Sequence, residues 1–170
     1  GDNTSMTLNI EIKDDDGNRT SNTVFVDDSN GNVRFIDKKY NFINLDRDDG
    51  VYVTYKLAES NNYQIGDEIT WHAYGSKDYY TSKIVGFYRD PQVQGLTATK
   101  KYIESLDKLE YKADTIYTND DLSKISSIKN VSIIQDKKEL KNSVTQMLSM
   151  MKTMIVIIIF IAVLLGAIII

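Results

Sequence analysis

The chain has 170 residues, with 20 basic and 24 acidic side chains, a formal charge of -4 and no cysteine. The missing cysteines exclude disulfides, thiolate metal sites and cysteine nucleophiles, and the acidic balance argues against a nucleic-acid partner, which asks for a basic surplus to neutralise phosphates. Hydrophobic residues at 42% and charged residues at 26% are ordinary for a globular body, so neither a disordered tail nor a fibrous repeat accounts for it.

Residues 7–13 alternate Leu8, Ile10 and Ile12 with polar neighbours, and 22–26 forms a second β-rich run across the polar turn 14–18. This predicts a strand pair. A further turn at 27–32 leads to a strand over 33–36, and the acidic stretch 46–50 introduces a strand over 51–55. One or two helical turns follow at 56–60. The Gly66-Asp67 pair then marks a turn into a strand with Ile69, Trp71 and Ala73 on one face. The run 83–88 completes a hairpin across 75–78; it is apolar on both faces and therefore central, and Asp90-Pro91 stops it.

From residue 97 the period changes. The pattern predicts a helix over 98–109, a strand over 115–117, a helix over 120–128 capped by Asp120 or Asp121, and a strand over 131–134. The fold class is α+β: a β-rich subdomain plus a small βαβ-type element within 1–135, followed by a long C-terminal helix entering the membrane.

Asp136 opens that helix, and no Gly or Pro interrupts the chain between Asp136 and Phe160. Within it Leu140, Val144, Met147, Met151 and Met154 follow spacings of four, three, four and three, a heptad seam. The seam reads either as an amphipathic helix packed on its own domain or as a stalk that transmits movement. Residues 154–170 carry no charge and include 13 Ile, Val, Leu or Phe. As a helix they span about 26 Å, close to a hydrocarbon core of about 30 Å. At roughly 0.3 to 0.6 kcal/mol for each of the 13, insertion is favoured by about 4 to 8 kcal/mol. The organisation is thus 1–135 as the folded domain, 136–152 as a helical stalk and 153–170 as a transmembrane helix. Lys137, Lys138, Lys141 and Lys152 all flank the span on the domain side, which taken alone favours the cytoplasm, but the positive-inside rule compares two flanks. The chain opens without an initiator methionine and stops inside the apolar run, as expected of a piece of a longer protein with Gly1 as a tag remnant.

No arrangement of residues makes an active site. His72, the one imidazole, falls opposite Ile69, Trp71 and Ala73 and is expected on the polar face of its strand. Glu68 shares that face but lies about 13 Å away along an extended strand, too far for a hydrogen bond. The acidic turns invite a calcium reading that the spacing contradicts: a loop starting at Asp14 has Arg19 at its sixth position and Phe25 at its twelfth, and one starting at Asp46 has Leu57 at its twelfth. They read as solvated turns. No P-loop occurs. Tyr74, Tyr79, Tyr80, Phe87 and Tyr88 crowd one hairpin, as core packing or, around 74–80, as a binding surface. No catalytic, cofactor-binding or metal-binding residue is predicted.

Three features together resemble the extracytoplasmic domain and following membrane helix of FtsX-like/MacB-like ABC transporter permeases. The first is the succession 49–59, carrying Leu57-Ala58, then Gly66-Asp67 within 65–69, then Val85-Gly86 within 83–87. The second is 97–106 with Tyr102, and the third is 128–131 leading through a long helix into 157–170. The resemblance covers 49–170, while the opening portion departs from it. It implies a non-catalytic extracytoplasmic domain of a permease subunit, with the second permease copy, a cytoplasmic ABC ATPase subunit and the lipid bilayer as partners. Such proteins move lipoproteins, peptides or other amphiphiles, or relay ATP-driven motion to extracellular partners, and the helix after the domain couples mechanically. The alternatives are the ectodomain of a membrane-bound signalling receptor and, behind it, a membrane-anchored hydrolase.

Overall fold

The computed structural model describes residues 3–14, 16–28, 33–118 and 133–169. It is α+β and divides into two compact units, Gly1–Asn119 and Asp120–Ile170.

In the first unit, β1 (Asn3–Lys13) and β2 (Arg19–Asp27) form the expected antiparallel hairpin. Their turn is closed by Asp14, whose carboxylate accepts from the Asn18 backbone N–H at 2.7 Å and from Asn18 Nδ2 at 2.9 Å. The strands run further than alternation predicts, because polar residues are buried at their far end: Asn3 Nδ2 donates to Asp27 Oδ1 at 3.1 Å. The strand expected at 33–36 shrinks to β3 (Phe35–Ile36), paired with β4 (Phe42–Ile43) in a separate small hairpin. Next come β5 (Val51–Thr54) and α1 (Tyr55–Asn61), the helix ended by Asn62 in a left-handed conformation with its N–H on the Ala58 carbonyl. The second predicted hairpin is β6 (Glu68–Ala73) with β7 (Tyr79–Tyr88), and β7 is central as expected, held between β5 and β6.

The helix expected over 98–109 is corrected. Residues 95–99 are a fully buried strand, β8 (Gly95–Thr99), and only α2 (Lys100–Ser105) is helical. Thr99 sets the boundary: its Oγ1 accepts from the Tyr102 N–H at 3.1 Å, an N-cap, and Leu106 returns to extended backbone. After α2 the chain reaches β9 (Thr115–Tyr117), where a strand was predicted. The helix expected over 120–128 and most of the strand over 131–134, the remainder of the βαβ-type element, lie outside the described residues.

The strand order β2-β8-β5-β7-β6-β1 closes on itself because β1 also pairs with β2, giving a six-stranded mixed barrel. β2–β8 and β5–β7 are parallel; the other pairings are antiparallel. β9 pairs with Asn3–Ser5, ahead of the residues of β1 that pair with β6. Closure removes free edges from the barrel strands. The interior is filled by Ile10, Val24, Val26, Val53, Ile69, Trp71, Ile84 and Leu96, each about 1% exposed or less, with Ala58 of α1 and Ile103 of α2 joining the same core. Trp71 is held on two sides: Nε1–H donates to Ser82 Oγ at 2.8 Å, and its ring lies 5.0 Å from that of Tyr80.

A second, smaller core sits beneath the β3–β4 hairpin, where Phe35 packs with Tyr52, Val85 and Tyr88. A bulge between Ile84 and Gly86 explains it. The extra residue flips the alternation, so that both Val85 and Tyr88 join this second cluster while Phe87 packs against the barrel core. Gly86 lies under the Tyr52 ring, where a Cβ would come within 2.7 Å of Cδ1. Gly50 meets backbone: a Cβ there would lie 2.1 Å from the Lys83 carbonyl oxygen.

In the second unit α3 (Lys137–Ile169) is one unbroken helix of 33 residues, about 50 Å long. Asp136 opens it as expected, its Oδ1 accepting from the Lys138 N–H at 2.7 Å.

Candidate functional site

Three features of the described residues bear on function. The first is His72, and here the expectation of a surface or half-buried histidine on the polar face of its strand is corrected in its burial: it is 4% exposed. Register supplies the cause. On β1, Glu11 stands directly opposite His72, and Glu11 Oε2 lies 2.8 Å from His72 Nε2. Nδ1 lies 2.9 Å from the Ser76 carbonyl oxygen, which can only accept, so Nδ1 carries the donated hydrogen. Nε2 stands close to the Glu11 carboxylate without hydrogen-bond alignment. Arg19 Nη1 stands 3.7 Å from the same carboxylate oxygen, and the Tyr79 ring covers the imidazole at 4.5 Å between centroids. Glu68, the partner judged too distant from sequence, is exposed and faces Lys83 in register.

This cluster ties β1, β2, β6 and the turn after β6 together. It does not assemble a nucleophile, because no hydrogen bond links a serine hydroxyl to His72 among the described residues. Ser82, a fully buried hydroxyl, is engaged by Trp71.

The second feature is the acidic loop 46–49. Each carboxylate there already has a protein partner. Asp46 accepts from Tyr52 Oη at 3.0 Å; Asp48 accepts from Lys101 Nζ and Thr99 Oγ1, both at 2.8 Å; Asp49 pairs with Arg47. Hydrogen bonds from Lys101 and then Thr99 hold Asp48 below the usual carboxylate range, and Arg47 does the same for Asp49. Among the described residues no group of three or more His, Asp or Glu could hold a metal ion. The crowded aromatics divide: Tyr88 is buried, and burial pushes its phenol well above its ordinary value, while Tyr80 and Phe87 are half-buried and Tyr74 is 71% exposed.

The third feature is α3, apolar enough over Lys137–Ala167 to cross a membrane, with none of that stretch buried. The core helix of a soluble protein can be as long and as apolar, but it hides its apolar surface. Here Ile157, Ile159 and Phe160 are 52%, 58% and 63% exposed, and so are the seam residues Leu140, Val144, Met147, Met151 and Met154 at about half. A helix apolar on all sides fits hydrocarbon rather than water. It is consistent with membrane association.

What sequence reading missed is the carboxylate partner of His72, which only strand register reveals, and the β3–β4 hairpin as a surface feature. Signals for the latter were present in the spacing of Arg34, Lys38, Lys39, Tyr40 and Phe42. No protein-family model matches the chain, and no curated protein is significantly similar to it.

Proposed function

We propose that the chain is the non-catalytic extracytoplasmic domain, with its following transmembrane helix, of an FtsX/MacB-like ABC transporter permease. In this reading ATP hydrolysis in a cytoplasmic partner subunit drives a pair of permease copies, and α3 carries that motion to the barrel for export of a peptide or amphiphile or for action on an extracellular partner. The observation that carries the reading is α3 itself: one helix passes from the charged stretch 137–152 into the apolar stretch without a break, so a displacement at one end is not absorbed by a hinge. The order of elements supports it as well. β5, α1 with Leu57-Ala58, the Gly66-Asp67 turn, β6 and Val85-Gly86 within β7 follow one another as in the family's succession.

Topology tests the reading. The chain has no cysteine, so Lys77→Cys, an exposed position, gives a single label site. In intact cells expressing the full-length protein it is expected to react with a membrane-impermeant maleimide. Protection until the cells are lysed would place the barrel in the cytoplasm and refute the assignment.

A further inference from the structure

We propose that the β3–β4 hairpin is a docking surface for an acidic segment of another protein that also carries an apolar side chain. The hairpin is a rigid platform. Asp37 Oδ1 accepts from the N–H groups of Lys39 and Asn41 at 2.7 and 2.9 Å, Oδ2 accepts from Asn41 Nδ2 at 3.0 Å, and the Asp37 N–H and Asn41 carbonyl close the loop at 2.9 Å. Beneath, Phe35 meets the Tyr88 ring edge-on at 5.5 Å. A surface held this way loses little freedom when a partner binds.

What the platform displays is unusual for a solvated turn. Tyr40 sits at φ 65°, a left-handed conformation that is sterically unfavourable for a bulky L-residue and that Gly or Asn would fill more easily. Its ring is 64% exposed, and Phe42 beside it is 66% exposed. Each ring carries an arginine: Arg89 lies 4.5 Å from the Tyr40 centroid and Arg34 lies 4.9 Å from that of Phe42. A third such contact, Lys38 over Tyr55 at 4.8 Å, adjoins them, whereas such pairs recur about once per 70–80 residues in proteins generally. Lys38 is paired with Glu59, but neither Arg34 nor Arg89 forms an ion pair among the described residues. The chain as a whole is net acidic, so this is a local concentration of positive charge with two planar guanidinium groups suited to carboxylates.

Exposed aromatics flanked by arginine are the composition of protein interface hot spots. A glycan partner fits less well, since the guanidinium groups occupy ring faces on which a sugar would stack, and the nearest carboxylate and amide, Asp37 and Asn41, are spent in the turn. The inference deepens the partner-relay part of the proposed function and rests on it only for where such a protein would come from; the binding test below is independent of topology and ATPase results.

The test is binding of a fluorescent acidic peptide with phenylalanine at every third position to the full chain in a non-ionic detergent. Saturable binding is expected, weakening by at least about tenfold in Arg34→Gln/Arg89→Gln and in Phe42→Ser with melting curves unchanged. Tyr40→Gly is expected to raise the melting temperature while weakening the peptide, a combination that a purely structural turn would not give. Absence of saturable binding, or binding that ignores these substitutions, would overturn the proposal. So would equal binding of polyglutamate, dextran sulfate or phosphatidylglycerol vesicles without dependence on Phe42, which would point to a generic anion site.

Discussion

The barrel and α3 use the same aliphatic residues to opposite ends. In the barrel Val24, Val53 and Leu96 are wholly buried, and their strands close a ring around them. In α3 Ile157, Ile159 and Phe160 point outward on every side of the helix. The difference lies in pattern rather than composition. Interrupted runs of a few β-branched residues, separated by polar turns, satisfy their backbone groups by pairing with neighbours. A continuous run satisfies them within the helix and leaves its side chains for a solvent that is not water. The first region therefore carries its own stability, whereas the second depends on its surroundings.

Truncation of the barrel core should break this comparison most strongly. Trp71→Ala removes a fully buried ring, and is expected to cost about 3–5 kcal/mol by denaturant titration, while Ile157→Ala in α3 leaves the barrel transition unmoved. Ile159→Lys should act the other way. It is expected to cost about 3–4 kcal/mol of membrane insertion, read by carbonate extraction, with the barrel's melting unaffected. Glu11→Ala removes the carboxylate that faces both His72 and Arg19, and a loss of about 1 kcal/mol or less in barrel stability is expected by denaturant titration, with none for the exposed Glu68→Ala.

The smallest effect is confined to alkaline pH. Tyr88 is buried, so its folded-state pKa stands above the unfolded value near 10, and the fold favours the protonated phenol. Its contribution is fully present below pH about 10 and is lost as pH rises from there toward the folded value. Barrel stability should therefore fall more steeply above that pH in the parent chain than in Tyr88→Phe, measured by melting across a pH series. Equal slopes would mean that Tyr88 ionises without unfolding.

Much of this architecture was legible in the sequence. Period-two alternation located both hairpins, two-faced apolarity made β7 central, and the uncharged run marked α3. β8 was hidden because Leu96 and Ala98 alone mark it in a strand of five residues whose Thr97 and Thr99 are buried as well, and because its parallel partner β2 is distant in sequence. Closure of the barrel depends on β1 pairing with β6 as well as with β2, and the β1–β6 pairs join segments about 60 residues apart, for which a single sequence carries no local signal. His72 was assigned to the wrong environment for the same reason. Alternation correctly set it opposite Trp71, but that face is covered by Glu11, Tyr79 and the Ser76 carbonyl. The hairpin at 33–43 was underestimated because its exposed rings carry meaning only once Arg89, distant in sequence, is seen over Tyr40.

The most direct test of a mechanically coupled barrel is ATPase activity of the full-length protein purified in mild detergent with its associated nucleotide-binding subunit. Val144→Pro interrupts the helix between barrel and apolar stretch without touching either. The account predicts that ATPase activity co-purifies with the intact protein and that Val144→Pro changes its rate while the barrel stays folded. Reproducible absence of ATPase from intact, folded protein would contradict it and favour a signalling ectodomain.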